Sequence, residues 1–293
     1  MGPVAFAPAK INLFLHVGAP SADGYHPLCS LMVFADIGDR LVIHEADALS
    51  VQVHGPFAAE LAGEGDNLVL RAARALLVKA RGPQPPLCLS LEKILPVAAG
   101  LGGGSSDAGA ALRLVRSALE IAVDNDGLEA IAASLGADGA ACFRGRPVLA
   151  EGRGERLTPS PELPAIEAVL VNPGVGVSTP AVYRALDAGG AFGDVEPPPM
   201  PQAFESVEEL AGWLGVMRND LQAPAIGLAP QIGDVIETLA GEPETLIARM
   251  SGSGATCFAI CASDIEANAL ADRVAGMRPD WWVRRCRLGG PWD

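Results

Sequence analysis

Apolar positions over the first sixty residues fall in short runs broken by Gly, Pro and Asp, the pattern of strands. VAFA at 4–7, INLFLHV at 11–17, CSLMVFA at 29–35, LVIHEA at 41–46 and LSVQVH at 49–54 predict successive strands. The period then changes. Leu68, Ala72, Ala75, Leu76 and Lys79 recur at helical spacing, which predicts a helix over 67–80 with Gly82-Pro83 as its stop. LCLSLEK at 87–93 returns to strand, a Gly-rich turn follows, and a helix is predicted over 105–121. Asp126 with Glu129 three residues on reads as a capping box opening a further helix that closes near Gly136.

After PVLAEG at 147–152 the texture shifts. TPSPELP at 158–164 is a Pro-rich connector, where a domain boundary is expected. EAVLVN at 167–172 predicts a strand, and Thr179–Ala188 a helix with Pro180 at its first position. GGAFGDVEPPPMPQ at 189–202 reads as a surface loop, with helices near 206–217 and 231–240 after it. TLIARMS, ATCFAIC, a helix at about 264–276 and WWVRRCRL complete a β-β-α-β tail. With the strand at 167–172, this predicts an antiparallel sheet carrying helices on one face, an α+β class.

Composition narrows the function. The chain has 293 residues, 49% of them hydrophobic, enough for one large domain or two modest ones with a real core. Its formal charge of −14 repels phosphate backbones, which argues against general nucleic-acid or anionic-membrane binding. An anionic substrate would need a local island of positive charge and backbone N–H groups. No apolar run approaches the length that spans a bilayer, and Met1–Lys10 lacks a secretory pattern. A cytoplasmic protein, monomeric or weakly dimeric, is expected. The 6 cysteines form no C-x-x-C pair and read as buried free thiols. Lysine occurs only at 10, 79 and 93 among 21 basic residues. A position that keeps lysine in so arginine-rich a chain hints at a need for a compact ammonium.

The most informative segment is LPVAAGLGGGSSDAGAAL at 95–112. Gly100, Gly102, Gly103 and Gly104 let the backbone approach a ligand closely, and Ser105 and Ser106 sit where a helix begins. The free amides of that helix end form an anion site. No Gly-Lys-Ser/Thr follows, so this is not a Walker A loop, and G-x-G-x-x-G fails in every register, which disfavours a dinucleotide oxidoreductase.

P-x-x-x-G-L-G-G-G-S-S-D-A resembles the second motif of the GHMP kinases, whose loop wraps the ATP phosphates. P-A-K-I-N-L at 8–13 is similar to the first motif of that family and S-G-S-G-A-T at 251–256 to the third, so the likeness spans the whole chain. A-K-I-N-L-F-L, A-D-G-Y-H at 22–26 and L-G-A-D at 135–138 narrow it further. They resemble the branch that phosphorylates the 2-hydroxyl of a cytidine-diphosphate-linked methylerythritol on the methylerythritol phosphate route to isoprenoids. The resemblance implies a ribosomal-protein-S5-like N-terminal domain at 1–158, binding ATP and carrying the catalytic residues. A ferredoxin-like substrate domain is implied at 159–293, with the active site between the two.

Residue by residue, the resemblance makes Lys10 a charge stabiliser and Asp138 the general base. Read alone, Lys10 would snorkel from an apolar strand and Asp138 would be a turn residue. The resemblance places ATP on Pro96, Gly100, Leu101, Gly102, Gly103, Gly104, Ser105 and Ser106, with Asn67 and Lys93 on the nucleoside side; unaided, Lys93 reads as strand-end charge. Tyr25 and Tyr183 would hold the two faces of cytosine and His26 its hydrogen-bonding edge, with Asn12 near the erythritol and Thr179 beside the substrate. Mg²⁺ is implied with ATP, through Ser105 or Ser106. Two departures stand out: Ala98 before the glycine run, and Gly139-Ala140 where a Val-Pro pair is usual. The competing expectations are another GHMP small-molecule kinase, of mevalonate or homoserine type, and a nucleotide sensor without catalysis.

Overall fold

The computed structural model describes residues 3–63, 67–80 and 85–292. Gly82-Pro83, the expected stop of the first helix, lies outside them. Its strands are β1 (Val4–Asn12), β2 (His16–Val17), β3 (Leu28–Glu45), β4 (Ser50–His54), β5 (Leu87–Glu92), β6 (Val148–Gly152), β7 (Arg156–Pro159), β8 (Ile166–Asn172), β9 (Ile247–Met250), β10 (Cys257–Cys261) and β11 (Trp282–Gly289). Its α-helices are α1 (Leu68–Leu77), α2 (Gly103–Ala118), α3 (Asn125–Leu135), α4 (Gly139–Arg144), α5 (Thr179–Gly189), α6 (Val207–Gly215), α7 (Gln222–Leu228), α8 (Gln231–Ala240) and α9 (Asp264–Met277).

The long strand β3 is the hub. It pairs with β2 and β6 at its start, with β1 through its middle, with β5 at its end, and with β11 at Phe34 and Ala35. The sequence predicts two strands here, divided at Asp36–Asp39. The chain instead runs through, because Gly38 is needed for contact: a Cβ there would overlap the Ala7 carbonyl on β1. Opposite it the register breaks. Pro8 pairs with Gly38 and Lys10 with Phe34, two steps on β1 against four on β3. Pro8 cannot donate to the ladder, and the Lys10 amide leaves it altogether, donating to Leu101 O at 2.8 Å. This irregularity turns Lys10 toward the glycine loop.

The C-terminal sheet runs β11-β8-β10-β9, all antiparallel. In chain order that is 4-1-3-2 of a split βαβ pattern, the ferredoxin-like arrangement. Helices cover both of its faces rather than one. Val169, Val171, Cys257 and Ala259 pack with α5, α7, α8 and α9, while Ala168, Leu170, Phe258 and Ile260 pack with α6 and the core around Leu13 and Phe14. Continuous apolar strands such as CFAIC are the pattern of two-sided burial. α1 and α2 lie over β5 and the N-terminal part of the sheet, around Leu76, Leu91 and Leu112.

Local signals set most helix starts. Asn67 caps α1 by accepting from the Val69 amide, and Ser263 caps α9 from the Glu266 amide. The capping box at Asp126 does not form. Asp124 is the cap of α3, accepting from Gly127, and Glu129 instead holds Arg144 of α4 at 2.8 Å. All 6 cysteines are buried and unpaired. No helix among the described residues is long and apolar enough to cross a membrane.

Candidate active site

A cleft of about 560 Å³ opens between β1, the loop before α2, the start of α4, α5 and the turn at 251–254. Its floor is the glycine loop. Gly102, at φ 62°, is the N-cap of α2 and offers no side chain, so Gly103, Gly104 and Ser105 present the open amides of the first turn. The helix begins two residues earlier than the sequence predicts, which moves both serines inside it. A Cβ on Gly102 would lie 3.1 Å from Lys10 Cβ and Cε and 3.2 Å from Cys142 Sγ.

The loop is fastened from three sides. Lys10 N holds Leu101 O, Thr256 N holds Ala99 O at 3.1 Å, and Ser251 Oγ donates to Gly100 O at 3.1 Å. Gly252 and Ser253 complete that side of the cleft, with Asn219 Nδ2 donating to Met250 O and Gly252 O at 2.8 Å each. The motif S-G-S-G-A-T signals this turn in the sequence, but its serines were absent from the expected site; Asn219 carries no such signal. Ala98 stands at φ 48°, a left-handed conformation that glycine would adopt at no cost.

Over the loop, Lys10 Nζ lies 3.2 Å from Asp138 Oδ2 and donates to Asn12 Oδ1 at 2.5 Å. Lys10 is 3% exposed and the Asp138 side chain 33%, so the ammonium is dry and the carboxylate faces the cleft. Asn12 Nδ2 in turn donates to Ser30 Oγ at 2.7 Å, which fixes its oxygen toward Lys10. Asp138 is the N-cap of α4, yet its side chain makes no cap bond and stays available. The departure at Gly139 has a steric reason: a Cβ there would overlap the Ala132 carbonyl, so glycine lets α4 close on α3. The nearby Cys142 thiol is pushed up to about 12 by burial, then by the Asp138 carboxylate, and is no nucleophile.

Of the other expected residues, Asn67, Lys93, Pro96, Gly100, Thr179 and Tyr183 line the cleft. Thr179 Oγ1 bonds Ser253 Oγ at 2.7 Å, joining α5 to the 251–254 turn. Tyr183 is pushed up to about 12 by burial and then by Asp138. Leu101 and Ser106 stand outside the cleft wall: the Leu101 side chain belongs to the core with Leu95 and Phe14, and Ser106 is fully buried. Lys93 does not present a free charge, because its ammonium is bound to Asp39 and Asp107. His26 packs on Tyr183 with ring centroids 5.2 Å apart, its Nδ1 against Gly18 O at 2.7 Å and its Nε2 against Asp187 Oδ1 at 3.1 Å. Tyr25 is not brought to the cleft. It is 59% exposed, with the Arg153 guanidinium 4.3 Å over one ring face.

An open helix end beside a buried ammonium and a half-buried carboxylate suits transfer of an anionic group to a hydroxyl. The comparisons agree with that class. Residues 67–146 match the GHMP kinases N terminal domain and residues 200–278 the GHMP kinases C terminal domain. The chain belongs to the GHMP kinase family. A Caulobacter sp. protein named 4-diphosphocytidyl-2-C-methyl-D-erythritol kinase is 63% identical, over 98% of each chain. A crystal structure of 4-(cytidine 5'-diphospho)-2C-methyl-D-erythritol kinase superposes with a TM-score of 0.79 at 34% identity, covering 99% of this chain and 100% of that one. A homoserine kinase from Cytophaga hutchinsonii matches at TM-score 0.67 and 18% identity over 98% of this chain and 94% of that one, a likeness of fold alone.

Proposed function

We propose that this chain is an ATP-dependent small-molecule kinase that phosphorylates 4-diphosphocytidyl-2-C-methyl-D-erythritol at its 2-hydroxyl, on the methylerythritol phosphate route to isoprenoids. The observation that carries the chemistry is the Lys10–Asp138 pair, 3.2 Å apart, facing the open end of α2. The high-identity relatives carry the choice of substrate.

In this reading the amides of Gly103, Gly104 and Ser105 grip the ATP phosphates, and Asn67, Lys93 and Pro96 shape the nucleoside end. Asp138 accepts the proton of the acceptor hydroxyl while the hydroxyl oxygen bonds the γ-phosphorus and the bond to the β-phosphate oxygen breaks, leaving ADP. Lys10 balances the charge that gathers between the two oxygens. Phosphoryl transfer passes through a loose transition state, so positioning and charge do most of the catalysis. Asn12 orients both Lys10 and the erythritol part.

Mg²⁺ belongs to this reading. Ser105, on the cleft wall, offers an oxygen of the kind Mg²⁺ takes; the Ser106 hydroxyl, buried outside the wall with no hydrogen-bond partner beyond the weak Cys142 thiol, would have to turn toward the cleft to do the same. When bound, the ion would supply positive charge that offsets the charge of the phosphates. Cytosine would stack on Tyr183, with Tyr25 closing over it after leaving Arg153, and His26 would read the base edge after Nε2 leaves Asp187. Residues 1–158 would supply the nucleotide site and the reacting pair, and 159–293 would supply Thr179 and Tyr183. Buried, unpaired cysteines suit a reducing cytoplasm.

The test is a substrate panel. Purified protein with ATP and Mg²⁺ is offered the cytidine diphosphate substrate, mevalonate and homoserine, and ADP formation is followed. Turnover of the first alone is expected; preference for mevalonate or homoserine overturns the substrate, and no transfer of label from ATP to any acceptor overturns the kinase.

A further inference from the structure

Directly beneath the glycine loop the chain buries three charged side chains that the phosphoryl-transfer pair does not use. The Lys93 ammonium donates to Asp39 Oδ2 at 2.5 Å and to Asp107 Oδ2 at 2.9 Å, and none of the three side chains is more than 3% exposed. They arrive from three places: Asp39 from β3, Lys93 from just beyond β5, and Asp107 from the second turn of α2. Asp39 Oδ1 also accepts from the amides of Ile94, at 2.6 Å, and Leu95, at 2.9 Å, the residues that lead into the loop. Gly103, where the loop becomes helix, lies against the cluster: a Cβ there would stand 3.0 Å from Lys93 Nζ and 3.7 Å from Asp39 Oδ2. The remaining Asp107 oxygen, Oδ1, is buried without a hydrogen-bond partner.

Stability is a weak account of such a cluster. Two carboxylates on one dry ammonium cost desolvation that a well-packed apolar group would avoid. What the cluster does have is a place. It touches the entry of the loop through Asp39 and its exit through Asp107, and it joins the two through one ammonium.

We propose that Asp39, Lys93 and Asp107 form a positioning clamp that fixes both ends of the glycine loop, and with them the spacing of the amides that grip the ATP phosphates. The Lys93 ammonium then serves the nucleotide through the clamp, while the rest of the residue lines the cleft. The proposal rests on the reading of this loop as the phosphate site. A lysine suits the task because the space is closed by Gly103 on one side and by two carboxylates on the other, room for a compact head but not for a planar fork.

The test varies the α2 arm. ATP is titrated at a saturating level of the cytidine diphosphate substrate, and the reverse, with Asp107→Ala, Asp107→Ser and Asp107→Asn. Asp107→Ala and Asp107→Ser are expected to raise KM for ATP about tenfold, with kcat within about threefold and KM for the second substrate within about twofold, since the loop amides bind the phosphates alike before and during transfer and a loosened loop weakens that uniform binding. Asp107→Asn keeps an oxygen that accepts from Lys93, and is expected to return KM for ATP to within about threefold of the starting protein. An unchanged KM for ATP in a folded Ala or Ser variant overturns the clamp. So does an equal loss in kcat and both KM values, or failure of both variants to fold, since either marks a purely structural role. The unaltered protein, run alongside, separates the two claims: if it has no ATP-dependent turnover, the loop assignment fails, whatever the variants do.

Discussion

Asp138→Asn separates chemistry from stability more sharply than any other change in the site. The amide is nearly isosteric, but it is a far weaker proton acceptor. A positioned base contributes about 10²–10⁴ in rate, or about 2.7–5.4 kcal/mol at 1.36 kcal/mol per decade. The fold stands to lose much less. The Asn oxygen still accepts from Lys10, so what is lost is the charge on an acceptor that is 33% exposed and already screened by water, about 1 kcal/mol. Lys10 is not orphaned either, because Asn12 Oδ1 at 2.5 Å and Gly100 O at 3.5 Å remain as acceptors. At about 2–4 °C per kcal/mol for a chain approaching this size, Tm should fall by no more than about 4 °C. KM for ATP should stay within about threefold, since loop amides and not Asp138 hold the phosphates. The assay couples ADP formation to NADH oxidation, with a thermal melt of the same preparation. A kcat within tenfold of the unaltered protein refutes the base assignment, and a rate loss accompanied by a Tm drop beyond about 10 °C refutes the claim that the pair is catalytic rather than structural.

Gly102→Ala puts a Cβ at φ 62° between Lys10 and Cys142, so left-handed strain of about 1–2 kcal/mol adds to crowding of about 1–3 kcal/mol; urea unfolding should show a loss of at least about 2 kcal/mol together with reduced turnover. Ala98→Gly runs the other way: relief of about 1–2 kcal/mol at φ 48° slightly exceeds the added freedom of the unfolded chain, about 0.4–1 kcal/mol, and a stability loss above about 1 kcal/mol in the same measurement contradicts the argument. Burial pushes Asp107 up to about 7, above its ordinary value of 3.8. A carboxyl raised on folding contributes stability that is fully present below the unfolded value and is lost as pH rises through the folded one. Asp107→Asn stays neutral throughout, so its stability relative to the unaltered protein should improve between pH 4 and about 7 and level off above about 8. Urea unfolding at pH 5 and pH 8 reads this directly, and an equal difference at the two pH values contradicts it.

Elements whose signals are local were legible in the sequence. Asn67 and Ser263 accept from the open amides of Val69 and Glu266, and Pro180 removes an amide that would otherwise be open; α1, α5 and α9 begin at Leu68, Thr179 and Asp264, within a residue of the expected starts. The failures share a cause in tertiary structure. Gly38 looks like a break between two strands because the sequence does not show the Ala7 carbonyl against it. Glu129 looks like the partner of Asp126 because Arg144, from the next helix, is not in view. α4 and α7, at 6 and 7 residues, are too short for a helical period to declare itself.

The site divides along the same line, and its basic residues show why. The glycine loop, Lys10 and Asp138 are legible because a phosphate cradle and a hydroxyl-directed pair need particular residue types in short motifs. Asp39 is not: it stands 54 residues before Lys93 and meets it only because β3 and β5 pair with Arg40 opposite Glu92. Yet the scarcity of lysine already pointed there. Lys79 is exposed, whereas Lys10 and Lys93 are 3% and 2% exposed, each with its ammonium among close-set oxygens. Arg249 supplies the contrast. It is also buried, at 7%, but its two terminal nitrogens reach three separate carbonyls, of Leu13, Leu214 and Met217, each at 2.7–2.8 Å. A fork spans scattered backbone acceptors; a compact head fits a point between carboxylates or beside a reacting oxygen. Burial pulls Arg249 down to about 10, a shift that still leaves it charged at neutral pH, so it ties β9 to the residue after β1 and to α6 with no ion pair among the described residues. The choice between the two cations in this chain therefore follows the geometry of the acceptors, and that choice is written in the sequence before any fold is known.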